Sequence, residues 1–244
     1  MQTQIWNKKT ENITYKMEKN IEEKSTENVS FVSKSEMFIE KNKNMILIVV
    51  SAIVIIILAF FGIRKFIVEP RQEKANQAMY AAEQYMAQGN FQMALYGDST
   101  STGIYGTGLL DVIKNYGSTK AGKRAKYEAG ICYLRLGQYK EALKYFDKYN
   151  GNDQLTPIMN EMMKGDAEIE LGNTSAALKH YKKAAAMDDN PITAPFALFK
   201  AGMVYLMDNQ PQKAIECFQK VKDDYSESLF KSQMDGFIEY AKNL

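Results

Sequence analysis

The sequence predicts an all-α protein: a solenoid of stacked helical hairpins preceded by a single transmembrane helix. Three observations carry this. One uncharged apolar run, residues 45–63, has the length of a membrane span. The C-terminal half repeats small and aromatic residues at intervals of 35 and 37 positions. The 244 residues also contain only five prolines, which favours helices over a turn-rich β fold.

Residues 45–63 read MILIVVSAIVIIILAFFGI, and fourteen of the nineteen are Ile, Leu, Val or Phe. A helix of this length spans roughly 28 Å, close to the ~30 Å hydrocarbon core of a bilayer. Each such residue favours insertion by about 0.3–0.6 kcal/mol, so the run as a whole favours it by several. A buried core helix usually carries a polar face, and this run offers only Ser51. A cleaved signal peptide has a short charged leader and a small-residue cleavage site. Here 44 residues precede the run and Arg64-Lys65 follow it, so an uncleaved anchor is expected. Lys34, Lys41 and Lys43 lie in the twenty residues before the run; Arg64, Lys65, Arg71 and Lys74 lie in the twenty after it. Three against four leaves the orientation open.

Residues 1–44 are polar, with eight lysines against seven glutamates and no sustained apolar period, and predict a disordered tail. Asn12-Ile-Thr14 and Asn28-Val-Ser30 fit the short glycosylation triplet. Beyond the span, Val68-Glu69-Pro70 predicts a break, with Pro70 opening a helix that runs through Gln72 to Gln88.

The repeat emerges when the later segments are superposed. Gly130, Gly165 and Gly202 are followed after three residues by Tyr133, Glu168 and Tyr205. Ala142, Ala177 and Ala214 recur at the same spacing, as do the aromatics Phe146, Tyr181 and Phe218. Leu-Gly137-Gln, Leu-Gly172-Asn and Asp-Asn209-Gln punctuate each glycine–alanine interval. This order of residues at a period near 34 resembles the tetratricopeptide repeat, or TPR. Small residues let the two helices of a hairpin approach, and the aromatics are expected to fill the groove against the next repeat. The expected layout is a degenerate split unit over 70–120, three repeats over 123–225 and a capping helix over 226–244. Tyr85, Gly89-Asn-Phe91 and Ala94 match the start of the split unit; YGDSTSTGIYGTG (96–108) interrupts it, and 109–116 supplies a helix. The glycines of that insertion lack the Gly-Lys-Ser/Thr of a phosphate loop, so a surface loop is expected. In the cap, Leu229, Phe230, Met234, Phe237, Ile238 and Ala241 form an apolar stripe.

Chemistry is harder to find. Thirty-one basic against 29 acidic residues leave no basic segment for nucleic acid. Cys132 and Cys217 sit in helical patterns as packing residues, and with no CxxC and a single histidine, His180, neither a disulfide framework nor a metal site is expected. His180 lies beside Lys179 and Lys182 and reads as solvent-exposed. No cofactor and no enzymatic activity are expected.

The concave face of a TPR solenoid binds peptides or partner helices. In the register above that face carries Met79, Glu83 and Met86, then Tyr127, Ile131, Leu134 and Arg135. The next two repeats add Met162, Asp166 and Ile169, then Phe199, Met203 and Met207. Flexible thioethers suit adaptable apolar binding. The charged clamp that some TPR domains use for a ligand carboxylate is not evident.

The anchor, the juxtamembrane FIVEPRQEKANQAMYAAEQYM and the repeat YEAGICYLRLGQYKEALKYFDKY together resemble bacterial inner-membrane TPR proteins, in particular the YfgM-like ancillary subunits of the SecYEG translocon. That resemblance covers about residues 40–244. It implies a cytoplasmic tail, a periplasmic repeat domain, translocon and periplasmic chaperone partners, and a role in protein export or envelope assembly. The alternative is a cytoplasm-facing membrane adaptor that binds peptide segments.

Overall fold

The computed structural model describes residues 16–17, 36–188, 190–225 and 227–244. Two units divide the chain, Met1–Phe66 and Ile67–Leu244. The predicted tail, 1–44, lies outside the described residues except for 16–17 and 36–44. In the first unit, helix α1 (36–63) exposes its apolar run to its full length: no side chain between 45 and 63 is buried. It is long and apolar enough to cross a membrane.

The helical backbone runs unbroken from Glu36 to Ala87, so the break expected at Pro70 is absent. Residues Arg64–Val68 adopt π-helical hydrogen bonding instead, and Pro70 lies in the first turn of α2 (Glu69–Ala87). Proline has no N–H to donate, and its ring crowds the carbonyl four residues back. The wider π turn relieves that conflict without ending the helix.

The second unit is built from helices alone among the described residues. Helices α5 (Lys120–Arg135) and α6 (Tyr139–Lys148), α7 (Thr156–Glu170) and α8 (Thr174–Met187), α9 (Thr193–Met207) and α10 (Pro211–Asp224) are three hairpins. The unit before them pairs α2 with the short α3 (Phe91–Tyr96), then the 97–108 loop and α4 (Leu109–Tyr116). Helix α11 (Lys231–Lys242) follows α10 and buries Met234, Ile238 and Ala241. Leu229, expected on that stripe, precedes the helix and is 90% exposed.

The four turns share one cap. Gly89, Gly137, Gly172 and Asn209 have φ of 75°, 73°, 79° and 55°. The next residue's N–H then reaches back to Tyr85, Tyr133, Glu168 or Tyr205 at 2.8–2.9 Å. A left-handed residue after the last helical turn satisfies carbonyls that would otherwise be orphaned, and glycine adopts it without strain.

Within each hairpin the repeat glycine lies under the repeat aromatic. A Cβ on Gly130 would sit 2.4 Å from the Phe146 ring, on Gly165 2.5 Å from Tyr181, and on Gly202 2.4 Å from Phe218. The aromatics therefore close their own hairpins, a contact the sequence reading did not anticipate, and two of them also reach the following element: Lys200 of α9 lies 5.7 Å from the Tyr181 ring and Phe237 of α11 lies 5.4 Å from Phe218. The glycine removes the side chain that would hold the ring away.

His180 also departs from expectation. It is part-buried, and its Nδ1 lies 2.9 Å from Oε2 of Glu161, whose side chain is 7% exposed. Lys183 Nζ contacts the other carboxylate oxygen at 2.9 Å, and Lys164 approaches at 3.5 Å. Burial opposes the Glu161 charge, but these neighbours outweigh it and hold the carboxyl below its usual range. Helix positions 161 and 180 face each other across α7 and α8, which no single-helix pattern reveals. Both cysteines are buried and free, and burial pushes the Cys132 thiol up to about 12.

Candidate binding groove

Helices α5, α7 and α9 are the first helices of the three hairpins, and they line a cavity of about 690 Å³. Counted from the repeat glycine, its walls come from positions −6, −2, +1 and +5. At 100° per residue these fall within about 60° of one another on the helix surface, a single stripe. In α7 the stripe is Met159, Met163, Asp166 and Glu170; in α9 it is Phe196, Lys200, Met203 and Met207. In α5 it contributes Ile131 and Arg135, with Leu134 and Tyr127 at its edge.

The floor holds one polar centre. Asp166 Oδ1 accepts hydrogen bonds from the Tyr181 hydroxyl at 2.6 Å and from Lys200 Nζ at 2.8 Å. Lys200 also stands 5.1 Å from the centre of the Phe196 ring, so its charge is held by a carboxylate and an aromatic face together. Burial and the adjacent Asp166 push the Tyr181 hydroxyl upward, so it stays protonated and donates. The Tyr139 hydroxyl is likewise raised by its bond to Glu170 on the rim. Arg135 finds no acidic partner among the described residues. The result is an apolar trough of methionine and aromatic walls, with an internal ion pair and one free guanidinium.

Nine of the residues singled out from sequence line this groove: Tyr127, Ile131, Leu134, Arg135, Asp166, Ile169, Phe199, Met203 and Met207. Four do not. Met79 and Met162 are completely buried in the two cores. Both sit three residues before the repeat's small residue (Ala82 and Gly165), a position that turns toward the second helix of the hairpin. Tyr127 and Phe199 occupy the same position and reach the groove only because their rings are large. Each also packs on its hairpin aromatic, Phe146 at 6.0 Å and Phe218 at 6.1 Å. Met86 packs against the N-terminal core. Glu83 is ion-paired with Arg124 of α5, which also bonds Glu128 at 3.2 Å. That network occupies the charge that Glu83 would otherwise offer to a ligand. Met159, Met163, Phe196 and Lys200 were missed because the sequence register used position −3; moving it by one residue to −2 finds Met163 and Lys200, and one turn further back finds the other two.

With this geometry in place, the likeness to known proteins is specific. Tetratricopeptide-repeat family models match residues 109–154, 162–191 and 196–228. The chain carries tetratricopeptide repeats. The match at 109–154 joins α4 to the α5–α6 hairpin, so TPR character begins inside the split unit. A TPR repeat-containing protein of Methanocaldococcus jannaschii is 31% identical over 98 residues. The match takes in 39% of this chain and 16% of that relative's length. Two crystal structures of nearly identical TPR-like repeats from Podosopora anserina, one of them a Q17M form, share the fold at a TM-score of 0.55 and 14% identity. They cover 71% of this chain, and 86% and 87% of their own. TPR solenoids are interaction scaffolds whose concave surface is the binding face.

Proposed function

We propose that this chain is a membrane-anchored scaffold, held by residues 45–63, whose groove captures a segment of a partner protein. The observation that carries it is the groove: an open apolar trough on the concave side of a repeat array. An extended or helical segment would place apolar side chains between Met159, Met163 and Met203, whose flexible thioethers adapt to different shapes. Arg135 would favour a segment carrying an acidic residue. The anchor reading is supported by the apolar run of α1, in which no side chain is buried. The likeness of layout to the YfgM-like translocon subunits supports a periplasmic repeat domain that serves protein export or envelope assembly.

The groove is tested by Ile169→Glu/Met203→Glu in the full-length chain. Both side chains are only partly buried, so far-UV circular dichroism stays unchanged. Copurification of translocon or periplasmic chaperone components after mild solubilisation should fall at least about tenfold. Capture unchanged by the substitution would rule out the groove, and recovery of no such component from the unaltered chain would rule out the export role. A reporter fused after Leu244 reads the orientation. Activity on the cytoplasmic side would replace this reading with that of a cytoplasm-facing adaptor.

A further inference from the structure

A second cavity in the repeat domain is built for charge. Helix α5 opens with Lys120, Lys123, Arg124 and Lys126 and has no acidic residue in its first turn. The positive end of a helix dipole disfavours cations, so this arrangement concentrates positive potential instead of relieving it. Lys120, Lys123 and Arg124 line a cavity of about 640 Å³, with Gln72 and Asn76 of α2 on one side and the α6–α7 loop on the other.

The cavity's charges divide into those already occupied and those free. Asp153, the one carboxylate on the wall, accepts the Thr156 N–H at 2.7 Å and the Tyr149 hydroxyl at 2.6 Å, and so caps α7. Arg124 is shared between Glu83 and Glu128. Lys120 and Lys123 have no acidic partner among the described residues. Gln72 Oε1 accepts the Lys120 backbone N–H at 2.8 Å and fixes the start of α5 against α2. Burial first, and then the charges of Lys123 and Lys148, hold neighbouring Lys126 below its usual range.

Chain connectivity selects the anion's source. Gln72 follows Ile63, the last residue of the apolar run, by nine positions. Even a fully extended chain covers at most about 32 Å in nine residues, so this wall of the cavity is tethered within that distance of the end of the run. Arg64, Lys65 and Arg71 lie in the interval and Lys74 just beyond it, and basic residues next to a span are drawn to anionic lipid.

We propose that this cavity takes the phosphate of an anionic phospholipid headgroup, with Lys120 and Lys123 supplying the charge and the Asn76 amide a hydrogen bond. The inference rests on the anchored reading of residues 45–63. A headgroup bound there gives the repeat domain a second, salt-sensitive hold on the membrane.

The test uses the full-length chain reconstituted in phosphatidylglycerol or phosphatidylcholine nanodiscs, with hydrogen exchange read over residues 119–126. Phosphatidylglycerol should slow exchange there by about fivefold or more relative to phosphatidylcholine, since each basic residue at an anionic surface contributes roughly that factor. Lys120→Gln/Lys123→Gln should abolish the difference while thermal unfolding stays unchanged. Equal exchange in the two bilayers would overturn the site. Glycerol phosphate added to phosphatidylcholine nanodiscs and protecting as fully as phosphatidylglycerol would overturn the headgroup as its source. Release of the chain from membranes by alkaline carbonate would instead overturn the anchor, a separate readout from exchange at α5.

Discussion

The N-terminal core, which joins α2–α6, is lined mainly by alanine, whereas the C-terminal core across α7–α11 is closed by larger side chains. Eight of the fifteen buried residues in the first are alanine, against six of eighteen in the second. In the second, Phe196, Phe199, Phe218, Phe230 and Phe237 also stack in one network with ring centres 5.1–6.1 Å apart. One position separates the first unit from the three hairpins. Four residues after the repeat alanine, the three hairpins carry Phe146, Tyr181 and Phe218, but the first unit carries Asp98. Without a ring to lay on Ala82, α3 stops after six residues. Gly97 then turns the chain at φ 78°, and Asp98 organises the loop by accepting from Thr100 N–H at 2.9 Å and the Ser101 hydroxyl at 2.6 Å. Leu109 and Val112 of α4 supply the missing buried surface.

The largest expected effect separates these two solutions directly. Phe218→Ala removes a fully buried ring over a glycine, which cannot move in to fill the cavity, and should cost about 3–5 kcal/mol. Asp98→Ala, at the equivalent place, loses only loop hydrogen bonds that are exposed or part-buried and should cost about 1 kcal/mol. Urea denaturation of both variants measures the gap. Equal losses would show that the loop bears as much stability as the ring.

Each core also holds one shielded carboxylate, and the two should respond to pH in opposite senses. Glu161 is depressed below its usual range, so its contribution is full above about 4.5 and is lost as the pH falls through its folded value. Glu128 is raised to about 7, first by burial, then with Glu83 opposing the help of Arg124. Its Oε2 has no hydrogen-bond partner. Its contribution is full below 4.5, the unfolded value, and is lost as the pH rises through about 7. At pH 8, Glu161→Gln should therefore destabilise by roughly 2 kcal/mol and Glu128→Gln should stabilise by about 1 kcal/mol. Below pH 4.5 both differences should shrink. A Glu128→Gln difference that stays flat from pH 4 to 8 would remove burial as the cause.

The repeat spacing was legible because it encodes a local rule, a glycine facing a ring sixteen residues further on, which holds within one hairpin. The turns were legible for the same reason: Gly137 and Gly172 serve their own helix ends. Most of the groove followed from the same register, since Ile131, Asp166 and Met203 share one position after the glycine. What the sequence concealed depends on neighbours from other helices. His180 looks exposed until Glu161 of α7 is set against it, and Glu83 looks available until Arg124 of α5 pairs with it. Met162 looks like a groove residue because a one-position error turns a helix by about 100°. The charged cavity at α5 went unseen because its lysines, read along one helix, form an ordinary solvated face.

The smallest expected effect distinguishes two uses of glycine inside a single hairpin. Gly130 has helical backbone and a Phe146 ring 2.4 Å from where a Cβ would sit, so Gly130→Ala forces the ring aside. Overpacking of this kind costs about 1–3 kcal/mol, and the better helix propensity of alanine returns about 1 kcal/mol. Gly137, at φ 73°, has only the Tyr139 hydroxyl at 4.0 Å, so Gly137→Ala meets no neighbour and carries only the left-handed backbone strain, about 1 kcal/mol. The net losses should thus be similar in thermal unfolding, but their remedies differ. Phe146→Leu in the Gly130→Ala background relieves the crowding, so the double variant should be more stable than the sum of the two single losses predicts. The same Phe146→Leu in the Gly137→Ala background should add its full cost. Identical coupling in both backgrounds would mean that the ring and the glycine beneath it do not act as a pair.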